Sequence, residues 1–155
     1  MRPGSYGNLP RGSAARRGGV FHYRQGMPCR VLIVEDDPMP GRALLFLVRA
    51  YGHHAEHVAS VAEALEALSR LNPQCVLLDL MLADGSGLAV LEEIRKRSLP
   101  VRVAIISSLA AGVPVFDAAI PLQPDGIFQK PWEIDQVLAW ISAGEQLPLD
   151  PLRNT

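Results

Sequence analysis

The feature that most limits how this chain can fold is a strict alternation of two periodicities from residue 30 onward. Short apolar runs ending in polar residues take turns with longer stretches of helical period. The runs are Arg30–Val34, Cys75–Asp79, Val101–Ile106 and Gly126–Gln129, with a weaker fifth at residues 54–58. Continuous apolar runs are the mark of strands buried on both faces, and the weak one reads as a strand at an edge. Between them, residues 39–51 place Leu44, Leu47, Val48 and Tyr51 on one helical face, with Gly52 as the stop. Ser60-Val-Ala-Glu63 has capping-box spacing, Leu65, Leu68 and Leu71 continue the inner face, and Pro73 forbids further helix. Leu88, Leu91 and Ile94 mark a third helix ending in Arg95-Lys-Arg97, a cluster that reads as a solvated end favoured by the helix dipole. Pro114, Pro121 and Pro124 leave room only for a short helix near 115–119. Ile134, Val137, Leu138 and Ile141 form the last amphipathic face. Strands alternating with helices require parallel pairing through right-handed crossovers. The expectation is an α/β fold: a doubly wound, five-stranded parallel sheet in the order 2-1-3-4-5 with an irregular, shortened fourth helix.

The segment before the first strand differs in kind. Residues 1–26 hold six glycines, five arginines and no acidic residue, so of a net charge of −1 they carry +5 and leave −6 to the other 129 residues. With no apolar period they cannot offset their ordering entropy, and residues 1–27 read as a disordered basic extension, Met27 being a candidate start. The folded part is expected over residues 28–145, followed by a short tail, 146–155, too short for a further output or DNA-binding domain. Its acidic balance argues against nucleic acid as its partner. Cys29 and Cys75 each open an apolar run and read as buried small hydrophobes, with no disulfide framework. No run approaches the roughly 18 apolar residues of a membrane helix, and the basic start lacks the apolar core of a signal peptide. A soluble, cytoplasmic protein is expected.

The topology gathers the chemistry at one edge of the sheet, where the strands' carboxyl ends bring together Glu35, Asp36, Asp79, Ser107 and Lys130. Crowded carboxylates raise one another's pKa unless a cation intervenes, and oxygen donors with open positions suit Mg²⁺. Each residue alone has a plain structural reading: an exposed loop capping the first helix for Glu35-Asp-Asp37, a loop hydroxyl for Ser107, a turn residue for Lys130. Their coincidence at the ends of four strands favours the functional one.

The segments Val-Leu-Ile-Val-Glu-Asp-Asp-Pro, Val-Leu-Leu-Asp-Leu-Met-Leu-Ala-Asp-Gly-Ser-Gly, Ile-Ile-Ser-Ser and Gln-Lys-Pro-Trp, spread over residues 30–143, resemble the response-regulator receiver family of two-component signalling, with its flavodoxin-like fold. The resemblance implies that Asp79 accepts a phosphoryl group from a phosphohistidine on a histidine kinase or histidine phosphotransfer protein. It implies that Glu35, Asp36, Asp79 and the Met81 backbone carbonyl hold Mg²⁺, that Lys130 and the Ser107 hydroxyl meet phosphoryl oxygens, and that the Lys130–Pro131 peptide is cis. The cation and lysine neutralise the oxygen charge that phosphoryl transfer spreads. The protein would then be a single-domain response regulator, a phosphoacceptor rather than an enzyme with separate turnover, acting by altered binding to a downstream protein.

The sequence also departs from the family pattern. Ile127 stands where receivers usually have an aromatic switch residue, with Phe128 beside it; Ala83 stands where proline is common; the Pro-rich stretch 114–124 replaces an ordinary fourth helix. A pseudo-receiver used only for protein binding is the main alternative. A small Asp-nucleophile phosphatase is the other, disfavoured because Met81 occupies the place of its second acid and no cap domain is present. The apolar side chains of Met81 and Leu109 are expected to flank the site and slow the attack of water. His53, His54 and His57 read as occupants of an exposed edge strand rather than a metal site, and Trp132 and Trp140 as packing residues.

Overall fold

Val31 to Val34 are four consecutive buried apolar residues, and a strand with both faces covered is the arrangement that hides them all. The computed structural model describes residues 28–143; the readings made for 1–27 and for the tail 146–155 lie outside them. Five parallel strands form the main sheet: β1 (Arg30–Val34), β2 (His54–Val58), β3 (Cys75–Leu78), β6 (Arg102–Ser107) and β7 (Gly126–Gln129). Their order is β2-β1-β3-β6-β7, the expected doubly wound arrangement, with the weak strand β2 at an edge. A feature not foreseen lies in the glycine-rich loop after β3, which forms a small antiparallel ribbon of β4 (Met81–Leu82) and β5 (Gly85–Ser86).

Five helices cover the sheet: α1 (Pro38–Ala50), α2 (Val61–Leu71), α3 (Leu88–Lys96), α4 (Pro114–Ala119) and α5 (Ile134–Ala143). One core face joins Leu32, Val34, Val76, Leu78 and Ile105 to α2, α3 and α4; the other joins Val31, Ile33, Leu77 and Ile106 to α1 and α5. Leu44 and Val48 of α1 are buried as expected, but Tyr51 is 40% exposed, because α1 closes one residue earlier and the chain turns away at Gly52. The inner stripe of α2 is built on Ala64, Ala67 and Leu68, with Leu65 and Leu71 only half-buried. Its cap is Ser60, whose Oγ accepts from the Glu63 amide; the Glu63 carboxylate reaches back to the Ala59 amide, one residue earlier than a capping box requires. Asp84, from the ribbon loop, adds a second cap by accepting from the Val61 and Ala62 amides, which hold its carboxyl below the usual range.

Two sequence readings need correction. Arg95 is not a solvated helix end. Its guanidinium donates to the Leu122 and Gln123 carbonyls and to the Asp125 carboxylate, pinning the 3₁₀ turn Ile120–Leu122 that follows α4 against α3. The histidines are not simply exposed either: His53 Nδ1 accepts from the Cys29 amide, and His57 packs beneath α1. The two tryptophans do pack. Trp140 meets Phe128 edge-to-face at 6.3 Å and lies under the Arg102 guanidinium at 4.4 Å, and Trp132 joins the same core face. Cys29 and Cys75 are buried thiols 3.7 Å apart.

Candidate functional site

Strand register sets the site. Val34 pairs with Leu78, so the next residues, Glu35 and Asp79, leave the sheet side by side, and the Asp79 amide still donates to the Val34 carbonyl. On the other side Ser107 pairs with Gln129, and the Lys130 amide donates to the Ser107 carbonyl, which brings the lysine to the same edge. The Lys130–Pro131 peptide is cis, as the resemblance implies. All five expected side-chain positions therefore lie at the carboxyl edge of the sheet, beside the switch between β1 and β3 where such sheets form their crevice.

The three carboxylates of Glu35, Asp36 and Asp79 each place an oxygen within 4.8 Å of the others. Glu35 and Asp79 are buried and Asp36 is half-buried. The Lys130 ammonium donates to Glu35 Oε2 at 2.6 Å and to Asp79 Oδ2 at 2.9 Å. Burial pushes the Glu35 carboxyl up from its ordinary range against the pull of Lys130, and the charge of Asp79 pushes the same way. Burial alone would lower the ammonium pKa of Lys130, yet the Asp79 and Glu35 carboxylates outweigh it and hold it above its usual value. Asp79 Oδ1 accepts from the Met81 amide, which leaves its Oδ2 side toward Lys130. The Ser107 hydroxyl is buried and accepts from the Leu109 amide. Asp37 stands apart from the trio: its side chain caps α1 at the Met39 amide.

One lysine against three carboxylates leaves the cluster with an excess of negative charge in a poorly solvated place. Hard oxygen donors with that excess suit a divalent cation that takes few protein ligands and retains positions for water or phosphate oxygens. Gly87 helps to shape the crevice, since a Cβ there would come within 2.0 Å of the Asp79 carbonyl. Met81, whose amide meets Asp79 Oδ1, is 57% exposed, and Leu109, whose amide meets the Ser107 hydroxyl, is partly buried against the core. Ile127 faces the α2–α3–α4 core, whereas Phe128, one residue on, points to the opposite face of the sheet and packs with Trp140.

The family model described as the response regulator receiver domain matches residues 31–142. The acid tolerance regulatory protein ActR of Rhizobium meliloti is 33% identical over 109 residues, covering 70% of this chain and 56% of that one. The DNA-binding response regulator MtrA of Mycolicibacterium smegmatis is 31% identical over 116 residues, covering 74% and 49%. The chain thus spans about half the length of these curated relatives. Among solved structures, a CheY-like response regulator receiver domain protein from Methanospirillum hungatei JF-1 superposes with a TM-score of 0.70 at 21% identity, over 76% of this chain and 93% of that one. It is a likeness of fold.

Proposed function

Since the chain belongs to the response regulator receiver domain family, we propose that it is a phosphorylation switch in which Asp79 accepts the phosphoryl group of a phosphohistidine on a histidine kinase or histidine phosphotransfer protein. The observation that carries this reading is the Lys130 ammonium bridging the buried Glu35 and Asp79 carboxylates at the strand ends. Transfer breaks the phosphorus–nitrogen bond, whose electron pair leaves with the imidazole, and forms a phosphorus–oxygen bond to an Asp79 oxygen. Asp79 Oδ1 accepts from the Met81 amide and Oδ2 from Lys130, so the carboxylate is oriented before transfer. Lys130, already beside Oδ2, pairs with an incoming phosphoryl oxygen, and the Ser107 hydroxyl turns from the Leu109 amide to donate to another. Glu35, Asp36, Asp79 and the Met81 carbonyl are the groups that would hold Mg²⁺. When bound, it neutralises the acidic cluster and the charge spread over the phosphoryl oxygens.

The aspartyl phosphate carries a charge of about −1.5 to −2 where the carboxylate carried about −1, and the protein signals by changed binding to a downstream protein rather than by turning over a separate substrate. A cytoplasmic setting fits this chemistry, and among the described residues no helix is long and apolar enough to cross a membrane. The experiment is incubation with acetyl phosphate, or with beryllofluoride, with and without Mg²⁺, for the wild type and Asp79→Ala. A Mg²⁺-dependent mass gain of one phosphoryl group in the wild type alone is expected. An unmodified wild type would favour a pure binding module, and hydrolysis of phosphomonoesters would favour a phosphatase.

A further inference from the structure

His57 lies in edge strand β2, on the face toward α1, and its Nε2 is 2.7 Å from the backbone carbonyl of Glu35. A carbonyl oxygen only accepts, so Nε2 must carry the hydrogen and donate it. The peptide it holds is the one joining Glu35 to Asp36. The other members of the acidic trio are fixed through their own carboxylates, Glu35 by Lys130 and Asp79 by Lys130 and the Met81 amide. Among the described residues the half-buried Asp36 carboxylate makes no hydrogen bond or ion pair, so its place is set by its backbone alone. That backbone is gripped on both sides: the Glu35 amide donates to Val58, and the Asp37 amide donates to Glu35 Oε1. The sequence also makes room for the ring. Gly41, one turn into α1, has no side chain, and a Cβ there would lie 2.3 Å from His57 Nε2.

We infer that His57 is a positioning residue for the cation site: by hydrogen-bonding the Glu35–Asp36 peptide from β2, it holds the otherwise untethered Asp36 carboxylate in place to ligate a divalent cation. This rests on the functional reading given above. Groups that orient a ligand from behind typically matter about tenfold or more to metal affinity. The donor also explains why a histidine suits this place: a residue without an N–H there would leave the Glu35 carbonyl unsatisfied and remove one of the bonds that hold this turn.

The test is a backbone amide chemical-shift titration with Mg²⁺ on the wild type, His57→Gln, His57→Phe and Asp36→Ala, alongside thermal melts without metal. Glutamine keeps an N–H near the Nε2 position; phenylalanine keeps the ring and loses the donor. The expected result is Mg²⁺ affinity within about twofold of wild type for His57→Gln and weakened about tenfold for His57→Phe. The Asp36 amide resonance should move in metal-free His57→Phe, and Gly41→Ala should behave like His57→Phe. Unchanged affinity in His57→Phe, or equal losses in both His57 variants, overturns the positioning role while leaving the cation site intact. A wild type indifferent to Mg²⁺ overturns the site itself and this role with it.

Discussion

Two apolar residues are tied to the site by their backbone amides: Met81, exposed, to Asp79 Oδ1 and Leu109, half-buried, to the Ser107 hydroxyl. On the proposed phosphorylation reading, neither side chain can hold a water molecule in line for attack on an acyl phosphate, so the phosphorylated state should be lost slowly. Met81→Glu and Leu109→Asn each supply a group that can orient water, and hydrolysis should quicken by about fivefold, the worth of roughly one hydrogen bond in the transition state. Timing the decay of the phosphorylated protein checks this, and unchanged rates would remove these two side chains from the account. At this scale the acids, the lysine and the serine were legible in the sequence because each ends an apolar run. His57 was not. One histidine in an edge strand has no period, and its partner is a backbone carbonyl, a group that every residue carries. Gly41 was the one written hint, and it becomes meaningful only when α1 is seen lying over β2.

Elements reach each other through contacts of the same kind. Arg95 leaves α3 to donate to two carbonyls and one carboxylate in the segment between α4 and β7, and the same Asp125 carboxylate accepts from the Val103 amide at 2.7 Å. The arrangement stitches the short α4 and its 3₁₀ turn to the sheet, where prolines preclude a longer helix. Arg95→Ala should cost about 1–2 kcal/mol, discounted because the guanidinium is partly exposed. The loss should be local: urea unfolding shifts, and amide exchange at Gln123 and Asp125 accelerates while β1 and β3 stay protected. Uniform protection would show that the latch is ornamental. Proline spacing revealed the short fourth helix, but the three adjacent basic residues gave no sign that one of them turned inward. The role of Asp84 was equally hidden, because it caps α2 from a loop more than twenty residues away.

Across the whole molecule, the alternation of periods pointed to a parallel sheet covered on both faces, and the common doubly wound arrangement supplied the strand order that the sheet has. The base of the sheet carries a pH dependence that composition does not show. Burial and the neighbouring His54 hold the His53 imidazole below its ordinary pKa, and its Nδ1 must stay unprotonated to accept from the Cys29 amide. Unfolded, the ring titrates near 6.5. Above that pH both states are neutral and His53 contributes no slope. As pH falls below it, the unfolded chain binds the proton first and the native state loses stability, by at most about 1.4 kcal/mol per pH unit. His53→Asn retains an acceptor without the titration, so its unfolding free energy should decline less between pH 6.5 and 5 when both proteins are titrated with urea. Parallel curves would place the pH dependence elsewhere.

Lys130 meets its two carboxylates across 95 and 51 residues of chain, the far partner being the end of the first strand and the lysine the end of the last. A ribosome releases those pieces in order, so a half-made chain already carries both acids but lacks the lysine that pairs with them. On the phosphorylation reading proposed above, the acceptor is complete only once the final strand docks, so accepting a phosphoryl group would also report that the sheet is finished.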